Sequence, residues 1–478
     1  MTITGIVFII YLTILIGVGA VTFKYNKTQE DYLLAGRKLG PWVVAFSERA
    51  SSESAWLILA LPGAAIAIGM GEIWTVVGIV SGIILSWFII ANRLRQETEK
   101  YDALTIPQYL HRKYQDESNI IRLFSSFIIA FFFAFYVSAQ FHASGKILNS
   151  IFGINPITGI TIGAVIIVVY TLMGGFFAVA WTDLIQGIIM ICTLILLPIV
   201  GFIELKEAGI SVTQSVISAS NNQASLASGL TGWAAVSLIV GGLSWGLGYF
   251  GQPHLVIRYM SIRDPKEIKT ARKIAIAWAI PGVTGAFLIG IVALAMFGEG
   301  FFTDVEQAMP YLAMHLLPGW IAGIVISGAV AAMMSTADSQ LLVSTSAITV
   351  DFYNRFLKRK IDDRSMVRLS RMVTIGFGVF AYIIAIISQL TDKTIFGVVS
   401  YAWSGLGSSF GPVLILTLWW KRTTTKGVIA GILTGAISTI VWANIAVLQT
   451  AVTERLTSFI FAFIAVVVVS LLDKSKSK

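Results

Sequence analysis

Ser47-Glu48-Arg49-Ala50-Ser51-Ser52-Glu53-Ser54-Ala55-Trp56 interrupts a stretch that is otherwise apolar enough to cross a membrane. Trp42-Val43-Val44-Ala45-Phe46 precedes it, Leu57–Ala60 follow it, and Leu61-Pro62-Gly63 comes next. Two carboxylates, a guanidinium and four serines are tolerated at membrane depth where they face protein or a wet cavity. Pro and Gly in the same segment favour a broken helix, whose freed backbone groups can hold an ion or a solute. The segment reads as part of a transport site rather than as a lipid anchor.

Of the 478 residues, 56% are hydrophobic and 12% are charged, and the mean hydropathy is +0.81. That makeup lies outside the range of soluble globular chains and indicates an all-α polytopic membrane protein. The alternating decamers of an outer-membrane barrel are absent from the sequence. Windows of about 20 apolar residues fall near 3–23, 42–68, 72–91, 121–146, 156–175, 181–204, 233–257, 273–297, 317–349, 367–388, 394–420, 424–447 and 453–472. Thirteen transmembrane helices are therefore expected. The 34 Lys and Arg residues crowd into alternate loops, from Lys24 to Lys38, Arg93 to Arg122, Arg258 to Lys273, Arg355 to Arg371, Lys421 to Lys426 and the Lys474–Lys478 tail. The opposite loops carry Lys146, Lys206, Lys393 and Arg455, and Arg49 lies within a span. The positive-inside rule then puts the N-terminus outside and the C-terminus in the cytoplasm of a bacterial inner-membrane protein. The first span lacks the flanks of a cleavable signal and reads as retained. The single cysteine, Cys192, reads as a buried, unreactive thiol. The connection 205–232 is a polar loop with room for a short interfacial helix, and 351–371 is a basic stretch expected on the inner membrane surface.

A second interrupted span reads Gly241-Gly242-Leu243-Ser244-Trp245-Gly246-Leu247-Gly248-Tyr249-Phe250-Gly251-Gln252-Pro253-His254. Small residues of this kind also serve close helix packing. Two Gly/Pro-broken spans at corresponding positions of two halves point to the binding site of an inverted-repeat transporter. Spans 2–6 and 7–11 would form the repeats. The chain divides accordingly into 1–41 (first span and loop), 42–204 (repeat one), 205–232 (external loop), 233–420 (repeat two) and 421–478 (last two spans and tail).

Trp245 to His254 resembles the seventh span of the sodium:solute symporter family, most closely its bacterial sodium/proline symporters. Tyr32-Leu-Leu-Ala-Gly-Arg-Lys-Leu-Gly-Pro41, Gly174-Gly-Phe-Phe-Ala-Val-Ala-Trp-Thr-Asp183, Met334-Ser-Thr336 with Gln340-Leu-Leu-Val343, and Val399-Ser-Tyr-Ala-Trp403 each resemble a further block of that family, in the expected order. The resemblance implies a LeuT-like fold of inverted five-helix repeats and ion-coupled transport of a small molecule such as proline. It implies a sodium site made by backbone carbonyls of Ala50, Glu53 and Ala332 with hydroxyls of Ser335 and Thr336. Those hydroxyls could equally bond back to their own helix. It implies substrate contacts at Ser54, Trp56, Tyr136, Trp245, Tyr249 and Pro253, with Tyr249 as a thin gate toward the cytoplasm. Asp183 stands where the family also has an aspartate and either serves coupling or caps a helix N-terminus.

The chain departs from the proline-symporter pattern at the first break. Ser52 replaces an aspartate important for sodium binding in those relatives, and Glu48, Arg49, Glu53 and Asp338 are additions. Two readings stay open. In one, Arg49 and Glu53 are i,i+4 partners that brace the break while neutral oxygens hold sodium. In the other, Arg49 replaces a bound cation or binds a substrate carboxylate, and Glu48, Glu53 or Asp338 carries a proton. The second arrangement would suit a proton-coupled carrier of another small amino acid or organic acid.

Other classes fit less well. His111, His142, His254 and His315 show no metal-ligand spacing, and no Gly-rich phosphate loop is present, so neither an enzyme nor an ATP-driven pump is expected. A channel does not need paired broken spans. A sensor would need an output domain, and six residues follow the last span. Lipid and a small solute are the expected partners, and neither nucleic acid nor an obligate protein partner is expected.

Overall fold

A computed structural model describes residues 2–22, 34–173, 175–219, 224–353 and 363–473. Lys24, Lys27, Tyr32, Gly174, part of the basic stretch 351–371 and the tail from Lys474 lie outside the described residues. Among those described, the fold is all-helical, with one isolated bridge pairing Leu39 with Ile262. Nine helices among them are long and apolar enough to cross a membrane, and two shorter apolar helices join them. The principal helices are α1 (Ile3–Thr22), α2 (Pro41–Ser52), α3 (Leu61–Ile68), α4 (Ile73–Ile89), α5 (Ile120–Phe152), α6 (Pro156–Met173), α7 (Phe176–Glu207) and α8 (Gly232–Leu243). They continue as α9 (Pro253–Ser261), α10 (Ile268–Phe297), α11 (Gly319–Ser346), α12 (Asp363–Leu390), α13 (Ile395–Trp419), α14 (Thr425–Ala443) and α15 (Glu454–Leu472).

Both interrupted segments are broken helices, and the residues at each break explain it. Pro41 starts α2, where its missing N–H is not needed. The helix stops at Glu53, which leaves helical geometry at φ −95°, ψ 65°. Ser and Glu side chains there offer the backbone alternatives to the helical ladder. Past the break, Pro62 has no N–H to return to Ile58, and the chain from Trp56 to Ala60 winds as one wide π-turn before α3. In the second broken helix, α8 tightens into a 3-10 segment over Ser244–Phe250, then opens at Gly251 and Gln252 before Pro253 starts α9.

Close backbone approach sets the position of this second break. The 3-10 segment packs on α4 and α13. A Cβ placed on Gly82 of α4 would collide with the backbone of Gly246, and one on Gly246 would collide with the carbonyl of Gly78. Glycine at both positions lets the broken helix lie directly against α4.

The outer faces are apolar. On α12, Met372, Val379, Phe380 and Ile387 are exposed together, a stripe that fits lipid rather than water. The chain is a multi-pass membrane protein. Cys192 corrects the sequence reading, because it is exposed on α7, on a surface it shares with exposed Ile188 and Ile195. The span window identified its apolar surroundings but not which side of the helix it faces. Two of the four cations assigned to the sparsely charged loops are also largely buried. Lys146 pairs with Glu306 at 2.6 Å and Asp304 at 2.7 Å, and Arg455 lies at the start of α15. In the 205–232 connection, α7 extends to Glu207 and a short helix, Val212–Ser218, follows with Ser211 as its cap.

Gly82→Ala is expected to destabilise the protein by about 1–3 kcal/mol, the usual penalty for overpacking, read as a lower thermal midpoint in detergent. Gly376→Ala, where a Cβ meets nothing within 4 Å, should leave the midpoint unchanged or slightly raised.

Candidate functional site

At the first break, three fully buried charges meet. Arg49 grips Glu48 with two nitrogens, Nε to Oε2 at 2.7 Å and a second, shorter contact to Oε1. Its other terminal nitrogen reaches Glu53 Oε1 at 2.8 Å. The i,i+4 pair expected from the sequence is present, and Glu48 joins it. The carboxylates are further held by Trp87, whose indole N–H donates to Glu48 at 3.2 Å, and by the Tyr249 hydroxyl, which donates to Glu53 at 3.4 Å. The Arg49 guanidinium lies 5.6 Å from the centre of the Tyr249 ring. A buried arginine that already has two carboxylates gains little from a third, and a buried ion pair without such support would be costly.

A second cluster forms around Ser47 and Ser51 of the same helix. Ser47 and Ser51 donate to Asp183 Oδ2 at 2.6 and 3.1 Å. Arg258 of α9 reaches the same oxygen at 3.2 Å, Ser51 at 2.6 Å and Ser339 of α11. Asp338 accepts from Ser339 at 3.2 Å. Asp183 Oδ1 and Asp338 Oδ2 have no hydrogen-bond partner among the described residues. Asp183 is no helix cap. The helix α7 begins at Phe176, seven residues upstream, with Gly175 at its N-cap, so the aspartate projects from the helix interior into this cluster. The span windows left Arg258 in a loop, but the structure buries it completely. Its charge ended the apolar window although the helix continues.

The oxygens proposed for a cation converge between α2 and α11. Ser335 donates to the Ala50 carbonyl at 2.8 Å and to the Ala332 carbonyl at 3.2 Å. Thr336 donates to the Ser51 carbonyl at 3.0 Å, an oxygen the sequence reading did not include. Glu53 meets its neighbours here through its carboxylate. Neutral carbonyls and hydroxyls form a donor set that suits a hard monovalent cation, and the break at Glu53 is what frees the α2 carbonyls from helical bonds.

The expected substrate contacts form a buried aromatic group. Trp56 and Trp245, one from each broken helix, stack with ring centres 5.3 Å apart and planes at 16°. Trp403 of α13 meets Tyr249 edge-on at 4.8 Å and donates its indole N–H to the Trp245 carbonyl at 3.0 Å. Tyr136 of α5 approaches Trp403 at 6.4 Å, and its hydroxyl lies beside Ser54. Gln140 accepts from the amide of Ala55 at 3.1 Å, which satisfies a backbone group exposed by the break. Pro253 stands apart from these rings, starting α9 and lining a crevice with Thr105, Ile106 and Val343. Sequence reasoning did not place Trp403 or Gln140 here. The block Val399–Trp403 marked the former, but its partners are set by tertiary packing.

Comparison with known families matches residues 32–435 to the sodium:solute symporter family. The chain is 40% identical to a high-affinity proline transporter of Bacillus subtilis strain 168, covering 96% of each. It is 36% identical to a sodium/proline symporter of Escherichia coli K12, covering 99% of this chain and 93% of the relative. Among solved structures, a substrate-bound, outward-open Na+-coupled sialic acid symporter aligns with a TM-score of 0.80 at 21% identity, over 99% of this chain and 98% of that one. The transporter MhsT, in complex with L-phenylalanine, aligns at 0.53 and 15%, over 90% of this chain and 97% of that one. These neighbours show a LeuT-like fold. Two broken helices meet at one buried site, and matched sequence runs across nearly the whole chain, so the chain belongs to the sodium:solute symporter family.

Proposed function

We propose that the chain is a plasma-membrane symporter that carries proline inward together with sodium by alternating access. The observation that carries this reading is the meeting of Ser335 and Thr336 with carbonyls freed at the α2 break. The names of the most similar relatives, proline transporters and sodium/proline symporters, favour proline and sodium. The inward sodium gradient supplies the driving force. Ala50, Ala332, Ser335 and Thr336 hold the cation, with the Ser51 carbonyl beside them and the Glu53 carbonyl from across the break. Ser54, Trp56, Tyr136, Trp245 and Tyr249 hold the solute, and Pro253 shapes the α9 end of its path. Apolar ring faces suit a pyrrolidine, and hydroxyls and free amides suit its charged ends. The Arg49 cluster braces the break, with Tyr249 gating the way to the cytoplasm.

This reading takes thirteen spans, with the N-terminus outside and the C-terminus inside, from the alternation of Lys and Arg. It takes residues 42–204 and 233–420 as inverted repeats, flanked by 1–41, 205–232 and 421–478. Each repeat contributes one broken helix and one indole of the Trp56–Trp245 stack. Because these rings touch, the solute enters by parting them, and the repeats move relative to one another as it does.

A second reading, proton coupling, is favoured by buried carboxylate oxygens of Asp183, Asp338 and Glu53 that have no hydrogen-bond partner among the described residues. Labelled-proline uptake into liposomes under a sodium gradient, then under a proton gradient alone, separates the two. Sodium-driven uptake supports the α2–α11 site, proton-driven uptake transfers coupling to Asp183, Asp338, Glu48 or Glu53, and no uptake under either rejects proline.

Thr336→Ala is expected to raise the sodium concentration for half-maximal uptake about tenfold or more, in line with the loss of one polar contact to a charge, at unchanged expression. Uptake indifferent to this change would remove the sodium site from α11. Arg49→Gln leaves Glu48 and Glu53 facing each other unneutralised and is expected to lower stability by about 3–5 kcal/mol. The thermal midpoint of Arg49→Lys should fall between that variant and the wild type, because lysine keeps the charge but not the two-nitrogen grip.

A further inference from the structure

Arg455 is the buried cation that the transport reading leaves unexplained. It enters from α15 and points into the group of side chains around the second broken helix. Its side chain is 11% exposed. The guanidinium lies 4.4 Å from the centre of the Trp245 ring, the same ring that stacks on Trp56. Its Nε donates to the Ser244 hydroxyl at 3.3 Å, one terminal nitrogen to the Gly241 carbonyl at 3.3 Å, and the other to the Ser400 hydroxyl of α13. All three acceptors are neutral.

The nearest carboxylate oxygen among the described residues belongs to Glu454, at 3.8 Å, beyond hydrogen-bond reach. Glu454 is itself occupied, because the same oxygen accepts from Ser400 and Ser404 at 3.0 Å each. Every other deeply buried cation near the site has a carboxylate at hydrogen-bond distance. Arg49 has Glu48 and Glu53, Arg258 has Asp183, and Lys146 has Glu306 and Asp304. A guanidinium prefers a carboxylate to a hydroxyl or an amide carbonyl, because both partners are then charged. Arg455, at the edge of an aromatic site, has only the longer ion pair with Glu454, bridged by the Ser400 hydroxyl, and a more distant attraction to Glu72, with no hydrogen-bonded carboxylate among the described residues.

We propose that Arg455 receives the carboxylate of the incoming solute. The inference rests on the reading of the chain as an amino-acid symporter. Arg49, the other arginine considered for this role, already has two carboxylates. An arriving carboxylate exchanges places with the Ser244, Gly241 and Ser400 oxygens. Those contacts tie the second broken helix to α13 and α15, so the exchange also loosens the helix that carries Trp245. Recognition of the solute's negative end and parting of the Trp56–Trp245 stack thereby become one event.

The test compares proline with prolinamide, which keeps the ring and loses the carboxylate, as competitors of labelled-proline uptake in proteoliposomes. Wild type should favour proline over prolinamide strongly. Arg455→Gln should raise the half-saturation concentration for proline about tenfold or more, as expected for losing a charged hydrogen bond. It should also level the two competitors while leaving the sodium dependence unchanged. Arg455→Lys should restore part of the preference. The inference is overturned if Arg455→Gln keeps the wild-type preference for proline, or if it weakens both competitors equally, as a purely structural role would. If neither variant folds, the wild type decides alone: equal competition by prolinamide overturns the proposal, and a strong preference for proline supports it when Glu454→Gln, which leaves the guanidinium in place, preserves that preference. A wild type that takes up no proline rejects the substrate reading and this inference together. Uptake with unchanged preference in Arg455→Gln rejects this inference alone.

Discussion

The break in α2 is built around charges that cannot be left alone. Glu48, Arg49 and Glu53 are fully shielded from solvent within a helix of otherwise small and apolar residues. Each would be prohibitively unfavourable by itself at that depth. Together they form a set in which the arginine reaches both acids, and Trp87 and Tyr249 donate to oxygens the arginine also holds, while Glu53 Oε2 has no hydrogen-bond partner among the described residues. The break sits at the end of this set, because the helix leaves helical geometry at Glu53, the last of the three charges. That ending in turn frees the carbonyls that meet Ser335 and Thr336.

The second cluster ties the broken helices to their supports. Asp183 from α7, Ser47 and Ser51 from α2, Arg258 from α9 and Ser339 from α11 share one set of polar contacts. Both broken helices are therefore joined to the long helices α7 and α11 through charge-assisted bonds rather than through apolar packing alone. Polar contacts of this kind have few alternative arrangements at low dielectric. A change in one helix is felt by the other three.

The sequence made the two breaks legible because Gly, Pro and charged residues stand out inside apolar windows. It also made the Arg49–Glu53 pair legible, since residues four apart share a helix face. Glu48 as the second partner was less visible, because adjacent helix residues point in different directions and only the length of the arginine side chain joins them. Arg258 was hidden by the rule that found the spans, since a charge ends an apolar window even when the helix continues. Asp183 looked like a cap because the window for its helix began too late. The exposure of Cys192 could not be read from a stretch that is apolar all round. The contacts of Trp403 and Arg455 join segments far apart in sequence, which no local spacing encodes.

The stack of Trp56 on Trp245 also bears on what the protein must not do. Each indole is nearly fully buried and each belongs to a different broken helix. With the rings in contact, the two broken helices meet here through apolar faces. In the proposed cycle a solute is what separates them, so the stack would part only in a loaded carrier. The same pair of side chains proposed to hold the solute would then keep the gradient from draining through an empty carrier.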